Sequence, residues 1–202
     1  MSLEDLEVWM VCHADDIDLF ISYSYDKKIK KNILKIPKYG CINFHPAILP
    51  DWKGRGGCNF AIWNKLSEWG ATAHYMSDTF DTGSIIRIYK FNFNYKMETA
   101  YTLKKKTLAI QRELYQGILL DVLESGWLNS IVQEENAGAY VSKKDMLDLM
   151  KLNINDLASE KDLDLKIRAC WFPPYDGAGF EINGKFYTLI NREILESLTQ
   201  KG

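Results

Sequence analysis

A short apolar run, Cys41-Ile-Asn-Phe44, passes directly into His45-Pro-Ala-Ile-Leu-Pro50, and this junction constrains the fold more than any other stretch. It reads as a buried strand that gives way to a proline-rich turn. Side chains alternate along a strand, so Asn43 and His45 share a face and emerge together at its C-terminal end, where open α/β sheets bind ligands. Further on, Ala71 to Met76 and Ile85 to Phe93 read as strands around a glycine turn that carries Asp81. An amide, an imidazole and a carboxylate are thereby expected at one rim of a sheet.

Those three groups suit acyl transfer to an amine. The reaction needs a donor for the developing oxyanion, a base for the amine proton, and a group that holds the base in the right tautomer. Asn43, His45 and Asp81 can fill these roles in that order, and a carboxylate close to His45 favours the imidazolium. The same spacing is equally that of a hydrogen-bonding pair in a loop, so the residues alone leave both readings open. Cys41 lies on the same face as a conceivable nucleophile, although a small buried apolar role accounts for it as well.

The remaining chain gives the frame. Ile17 to Tyr25 is rich in β-formers and is expected to be a central strand. Asp26 to Ile36 places Ile29, Ile33 and Ile36 at helical spacing with lysines outside, and Pro37 ends it. Pro50 to Gly57 reads as a loop that lacks the ending of a phosphate cradle, and Asn59 to Leu66 as a short helix. The strand-borne His74 reads as structural. Thr99 to Ser125 is a long helix closed by Gly126, and Asn129 to Ala139 is polar and loop-like. The catalytic domain is therefore expected over residues 1–128, with 129–202 forming a linker, helices and a C-terminal hairpin around Asn183-Gly184.

Totals set limits on partners. With 25 basic and 27 acidic residues the formal net charge is -2, so no global attraction to a phosphate backbone is built in. Cysteines 12, 41, 58 and 170 show no regular spacing, which points to a reduced, cytoplasmic protein. No run of about 18 apolar residues occurs, so no membrane-spanning helix is expected.

Several separated blocks carry a family resemblance: Asn43-Phe-His45-Pro-x-x-Leu49-Pro50, Gly54 to Gly57, Gly70-Ala-Thr-Ala-His-Tyr-Met76 and Asp81-Thr-Gly-Ser-Ile-Ile86. In order and content they resemble the formyltransferase family, which uses 10-formyltetrahydrofolate and includes methionyl-tRNA, phosphoribosylglycinamide and nucleotide-sugar enzymes. The resemblance implies a Rossmann-like, mostly parallel α/β sheet, with Asn43, His45 and Asp81 as catalytic residues. It further implies folate contacts from Lys27, Lys28 and Ile29 and from Ser77, Asp78, Thr79 and Phe80, and it calls for no metal. Fewer residues precede the strand at Ile17 to Tyr25 than the family pattern has, so its opening βα units are expected to be absent or to lie outside this chain. Phe172-Pro-Pro-Tyr resembles the sugar enzymes, which makes a nucleotide-linked amino sugar the expected acceptor, with charged initiator tRNA as the alternative. A formyltetrahydrofolate hydrolase, an inactive folate-binding homologue and enzymes for other small amines complete the readings. A homodimer is expected through the hairpin, whose Phe180, Phe186 and Tyr187 are too many aromatics for so small an element to bury.

Overall fold

The computed structural model describes residues 3–23, 25, 27–134, 136–153 and 160–199. In chain order the elements are α1 (Leu3–Cys12), β1 (Phe20–Tyr23), β2 (Cys41–His45), β3 (Trp52–Gly54), α2 (Gly57–Trp63), β4 (Glu68–Tyr75), β5 (Ile85–Asn92), α3 (Ala100–Ser125), β6 (Ala139–Val141), α4 (Lys143–Met150), α5 (Glu160–Cys170), β7 (Gly179–Ile182), β8 (Lys185–Thr188) and α6 (Arg192–Thr199). They gather into two compact units. One comprises residues 1–54, 70–91 and 107–140, and the other residues 55–69, 92–106 and 141–202.

The first unit holds the central sheet, ordered β1-β2-β4-β5. β1 pairs with β2 in parallel, Phe20 opposite Cys41, whereas β2 pairs with β4 antiparallel, Asn43 opposite His74 and His45 opposite Thr72. The α/β class holds, and the sheet is mixed because the chain returns from β2 to β4 in the reverse direction. On one face Ile42, Phe44, Ala71 and Ala73 pack against Leu114 and Ile118 of α3. Their sheet positions alternate with Asn43 and His45, so the face opposite the core is the one that carries polar groups. Gly126, at a φ of 73°, ends α3 as its position predicts.

Two expectations fail in the same region. The strand expected over Ile17 to Tyr25 is shorter, Phe20–Tyr23, and stands at the end of the strand order rather than in its middle. The helix expected over Asp26 to Ile36 is reduced to a single 3-10 turn at Ile33–Lys35. Ile29 and Ile33 are buried against Met10 with Leu6, Ile17 and Phe20 packed around them, so their spacing serves this small core without needing a helix. Nucleating a helix fixes several residues for one hydrogen bond, and a short segment of β-branched and lysine residues gains little from it. Ser24 and Asp26, which fall inside these two expected elements, lie outside the described residues.

The second unit has its own core of Leu149, Leu152, Ile167, Cys170, Ala178 and Ile194, with Phe180 packed against it. α4 opens with a capping box between Ser142 and Asp145. The hairpin signal at Asn183-Gly184 is met: both residues take positive φ, 51° and 75°, as a two-residue primed turn requires.

Candidate functional site

The site is built at the C-terminal end of β2 and the facing end of β4. Strand register alone brings His74 directly opposite Asn43. The Asn43 amide reaches His74 Nε2 at 3.1 Å, and His74 Nδ1 donates to the Tyr75 carbonyl at 2.8 Å. A carbonyl only accepts, so Nδ1 carries a hydrogen and the neutral ring offers Nε2 as acceptor to Asn43. His74, read from sequence as structural, thus sits within the candidate site, 2% exposed. Its signal was the register itself, which appears once β2 and β4 are known to pair antiparallel.

Asp81 closes the arrangement from the turn before β5. Its Oδ1 lies 3.4 Å from His45 Nδ1 and 3.5 Å from His74 Nε2, and its Oδ2 accepts from the Gly54 N–H at 2.9 Å. Burial pushes the Asp81 carboxyl up, but the facing His74 and His45 rings and the Gly54 N–H outweigh it and hold the group below the ordinary carboxylate value. Asp81 has a φ of 59°, in the left-handed region where aspartate is one of the few tolerated residues. The turn around it leaves no slack, since a Cβ on Gly83 would lie 1.8 Å from the Tyr75 carbonyl oxygen.

His45 meets a second acceptor. Its Nε2 donates to the Trp52 carbonyl at 2.8 Å. With a carbonyl on one nitrogen and a carboxylate facing the other, the protonated ring is the form that satisfies both sides. Pro50 to Gly57 is accordingly not a plain loop: its β3 pairs with β6 and supplies both the Trp52 carbonyl and the Gly54 N–H. Thr72 fixes the intervening turn, donating to the Ala47 carbonyl at 2.7 Å and accepting from the Leu49 N–H at 3.1 Å. Cys41 is 3% exposed and burial pushes its thiol up to about 12, which removes the nucleophile reading.

Lys27, Lys28 and Ile29 and the stretch Ser77 to Phe80 form two loops of the same unit. An ion pair between Lys31 and Asp78 ties them together, and Ile29 and Met76 belong to one apolar cluster. Ile29 is buried whereas Lys27 and Lys28 are exposed. The second loop is organised by hydroxyls: Ser77 Oγ lies 2.7 Å from Thr82 Oγ1 and donates to the Thr79 carbonyl at 3.0 Å. The Phe80 ring is 45% exposed. A cavity of about 320 Å³ opens elsewhere in this unit beside Arg87, Asp121, Glu124, Trp127 and Asn129, and none of Asn43, His45, His74 or Asp81 lines it. Among the described residues no cluster of His, Cys, Asp and Glu has the arrangement of a metal site.

Residues 2–119 match the profile of the Formyl transferase family. The chain belongs to this family. A GDP-perosamine N-formyltransferase from Brucella melitensis is 30% identical over 183 residues, which cover 91% of this formyltransferase and 68% of the relative. A methionyl-tRNA formyltransferase from Hydrogenovibrio crunogenus is 28% identical over 201 residues, covering 100% of the chain and 62% of the relative. Among solved structures, an N-formyltransferase from Helicobacter canadensis, in complex with folinic acid and dTDP-3-aminofucose, superposes with a TM-score of 0.67. It is 27% identical, and the match covers 82% of this chain and 58% of that one. The α/β fold and membership of an enzyme family that transfers formyl groups, both expected from the motifs, agree with these matches.

Proposed function

We propose that this formyltransferase moves a formyl group from 10-formyltetrahydrofolate to the primary amine of a nucleotide-linked amino sugar. The observation that carries the reading is the meeting of Asn43, His45 and Asp81 at one strand end, with His45 Nδ1 3.4 Å from the Asp81 carboxylate. Neutral His45, with Nδ1–H towards Asp81, takes the amine proton on Nε2 when the amine takes up the position that the Trp52 carbonyl fills at 2.8 Å. As the bond between the formyl carbon and the folate N10 breaks, His45 returns that proton to N10, and between these steps the Trp52 carbonyl is an acceptor for the Nε2–H. Asn43 spends one amide hydrogen on His74 Nε2 and keeps its second for an oxyanion. The folate supplies the formyl carbon. Lys27, Lys28 and Ile29 and Ser77, Asp78, Thr79 and Phe80 would hold it, and the two loops fit this role in being joined at Lys31 and Asp78 and in presenting hydroxyls and an exposed ring.

The acceptor follows from charge and from the relatives. A net charge of -2 gives no basic surplus for gripping tRNA phosphates, and the GDP-perosamine enzyme matches over a larger share of its own length than the methionyl-tRNA enzyme does. Among the described residues no disulfide joins Cys12, Cys41, Cys58 and Cys170, which suits a reducing cytoplasm. Among the described residues no helix is long and apolar enough to cross a membrane. The test pairs one folate donor with charged initiator tRNA, a panel of nucleotide-linked amino sugars, and no acceptor. Formylation of at least one sugar is expected. Transfer to tRNA alone overturns the acceptor, and formate release without an acceptor replaces transferase by hydrolase.

The chain is further proposed to form a homodimer through β7 and β8. Phe180 is covered by its own core, but Ile182 and Tyr187 on this hairpin remain 57% and 46% exposed, an apolar surface that a second copy would cover. Analytical ultracentrifugation at micromolar concentration should show a dimer, and a monomer alone would refute it.

A further inference from the structure

The described residues 131–134 and 136–139 lie outside residues 2–119, which match the family, and beyond the catalytic domain expected from sequence, yet this segment touches both halves of the candidate site. Ile131 exchanges two backbone hydrogen bonds of 2.8 Å with Ile85, just after the Asp81 turn. Gln133 Nε2 then donates to the carbonyls of Asp81 at 3.0 Å and of Gly83 at 2.7 Å. Further along, Lys53 Nζ donates to the Ala137 carbonyl at 2.5 Å and the Ala139 N–H to the Asp51 carbonyl at 3.0 Å. Gly138 presses so closely on this loop that a Cβ there would lie 1.7 Å from the Pro50 carbonyl oxygen. One side of the segment therefore holds the turn that carries Asp81, and the other holds the strand that gives the Trp52 carbonyl and the Gly54 N–H.

We propose that Gln133 is a positioning residue for formyl transfer: its amide fixes the two carbonyls of the Asp81 turn and so sets the aim of the Asp81 carboxylate at His45. This rests on the reaction assigned above. Asp81 is held in a left-handed backbone conformation, and such a conformation persists where its surroundings over-determine it. Gln133 supplies that constraint from 52 residues away in sequence. Its Oε1 is buried with no hydrogen-bond partner among the described residues, so the side chain keeps its place through what the nitrogen donates despite the cost of the unmade bond. An apolar residue of equal size would avoid that cost but could not hold the turn.

The variants are Gln133→Met, which keeps the volume and loses both donors, and Gln133→Asn, which keeps the amide one carbon short. With activity normalised to folded protein, Gln133→Met should lower kcat by about 10- to 100-fold, the scale of a small misplacement of a catalytic group. KM for donor and acceptor should stay within about threefold, and Gln133→Asn should fall between. A readout independent of turnover is the titration of the Asp81 carboxyl by 13C NMR. The groups facing it are His45, His74 and the Gly54 N–H, and a loosened turn weakens their hold, so its pKa should rise in Gln133→Met. A loss of stability with kcat and the Asp81 titration unchanged overturns the proposal. If the wild type transfers no formyl group while the titration still moves, the positioning stands and the assigned reaction falls.

Discussion

Replacing His45 by Ala should lower kcat by at least the ~10² that a general base contributes, while the affinity for the folate donor stays nearly unchanged. The imidazole stands between Asp81 and the Trp52 carbonyl on β2, whereas the residues assigned to the folate are on two separate loops. Its loss strips a partner from each acceptor, so the variant should also lose about 1–3 kcal/mol of stability. Turnover must therefore be compared per folded, donor-saturated molecule, with donor binding measured separately by fluorescence titration. Collapse of donor affinity with normal turnover of the bound complex would move His45 from proton transfer to binding.

The Asp81→Asn variant should be impaired about 10²- to 10⁴-fold, because two buried imidazoles lose the charge they face. Isosteric asparagine keeps an oxygen for the Gly54 N–H, but its NH₂ group meets the Nδ1–H of His45 as one donor against another. The same variant carries a pH signature. In the folded chain the Asp81 carboxyl is held below its ordinary value, so it contributes stability that is fully present above the unfolded pKa of about 3.9. That contribution is lost as pH falls through the lower folded pKa. Urea unfolding should find the wild type more stable than Asp81→Asn at neutral pH, with the gap narrowing in acid. A gap that is independent of pH would mean that the carboxylate is not the group being held.

What the sequence made legible was local. The strand at Cys41 to His45, the turn at Asp81, the helix ending at Gly126 and the hairpin at Asn183-Gly184 each carry their signal within a few residues, and each stands where it was expected. The lysine-rich stretch misled because Ile29, Ile33 and Ile36 satisfy a helical period and a small side core equally well, and periodicity cannot tell these apart. His74, read as structural, and Trp52 and Gln133, not singled out at all, stay outside the site in a reading of the letters for a different reason. Each reaches the site through pairing between distant segments: His74 by register with Asn43, Trp52 by its carbonyl, and Gln133 by two carbonyls across the Asp81 turn. Side-chain chemistry can be read from letters, but these contacts depend on the backbone of residues whose letters say nothing about them.

The Trp52 contact has an evolutionary corollary. The atom that receives the His45 hydrogen is a main-chain oxygen, and residue identity at position 52 does not alter it. The same holds for the Tyr75 carbonyl under His74 and the Phe44 carbonyl under Gln111. Mutational drift at these positions can recolour the surroundings of the site, its bulk, polarity and ring contacts, while the proton acceptors stay put. Pockets for new acceptor amines can then diverge on an unaltered chemical frame, which needs the side chains of Asn43, His45, His74 and Asp81 but only the peptide bonds of these neighbours.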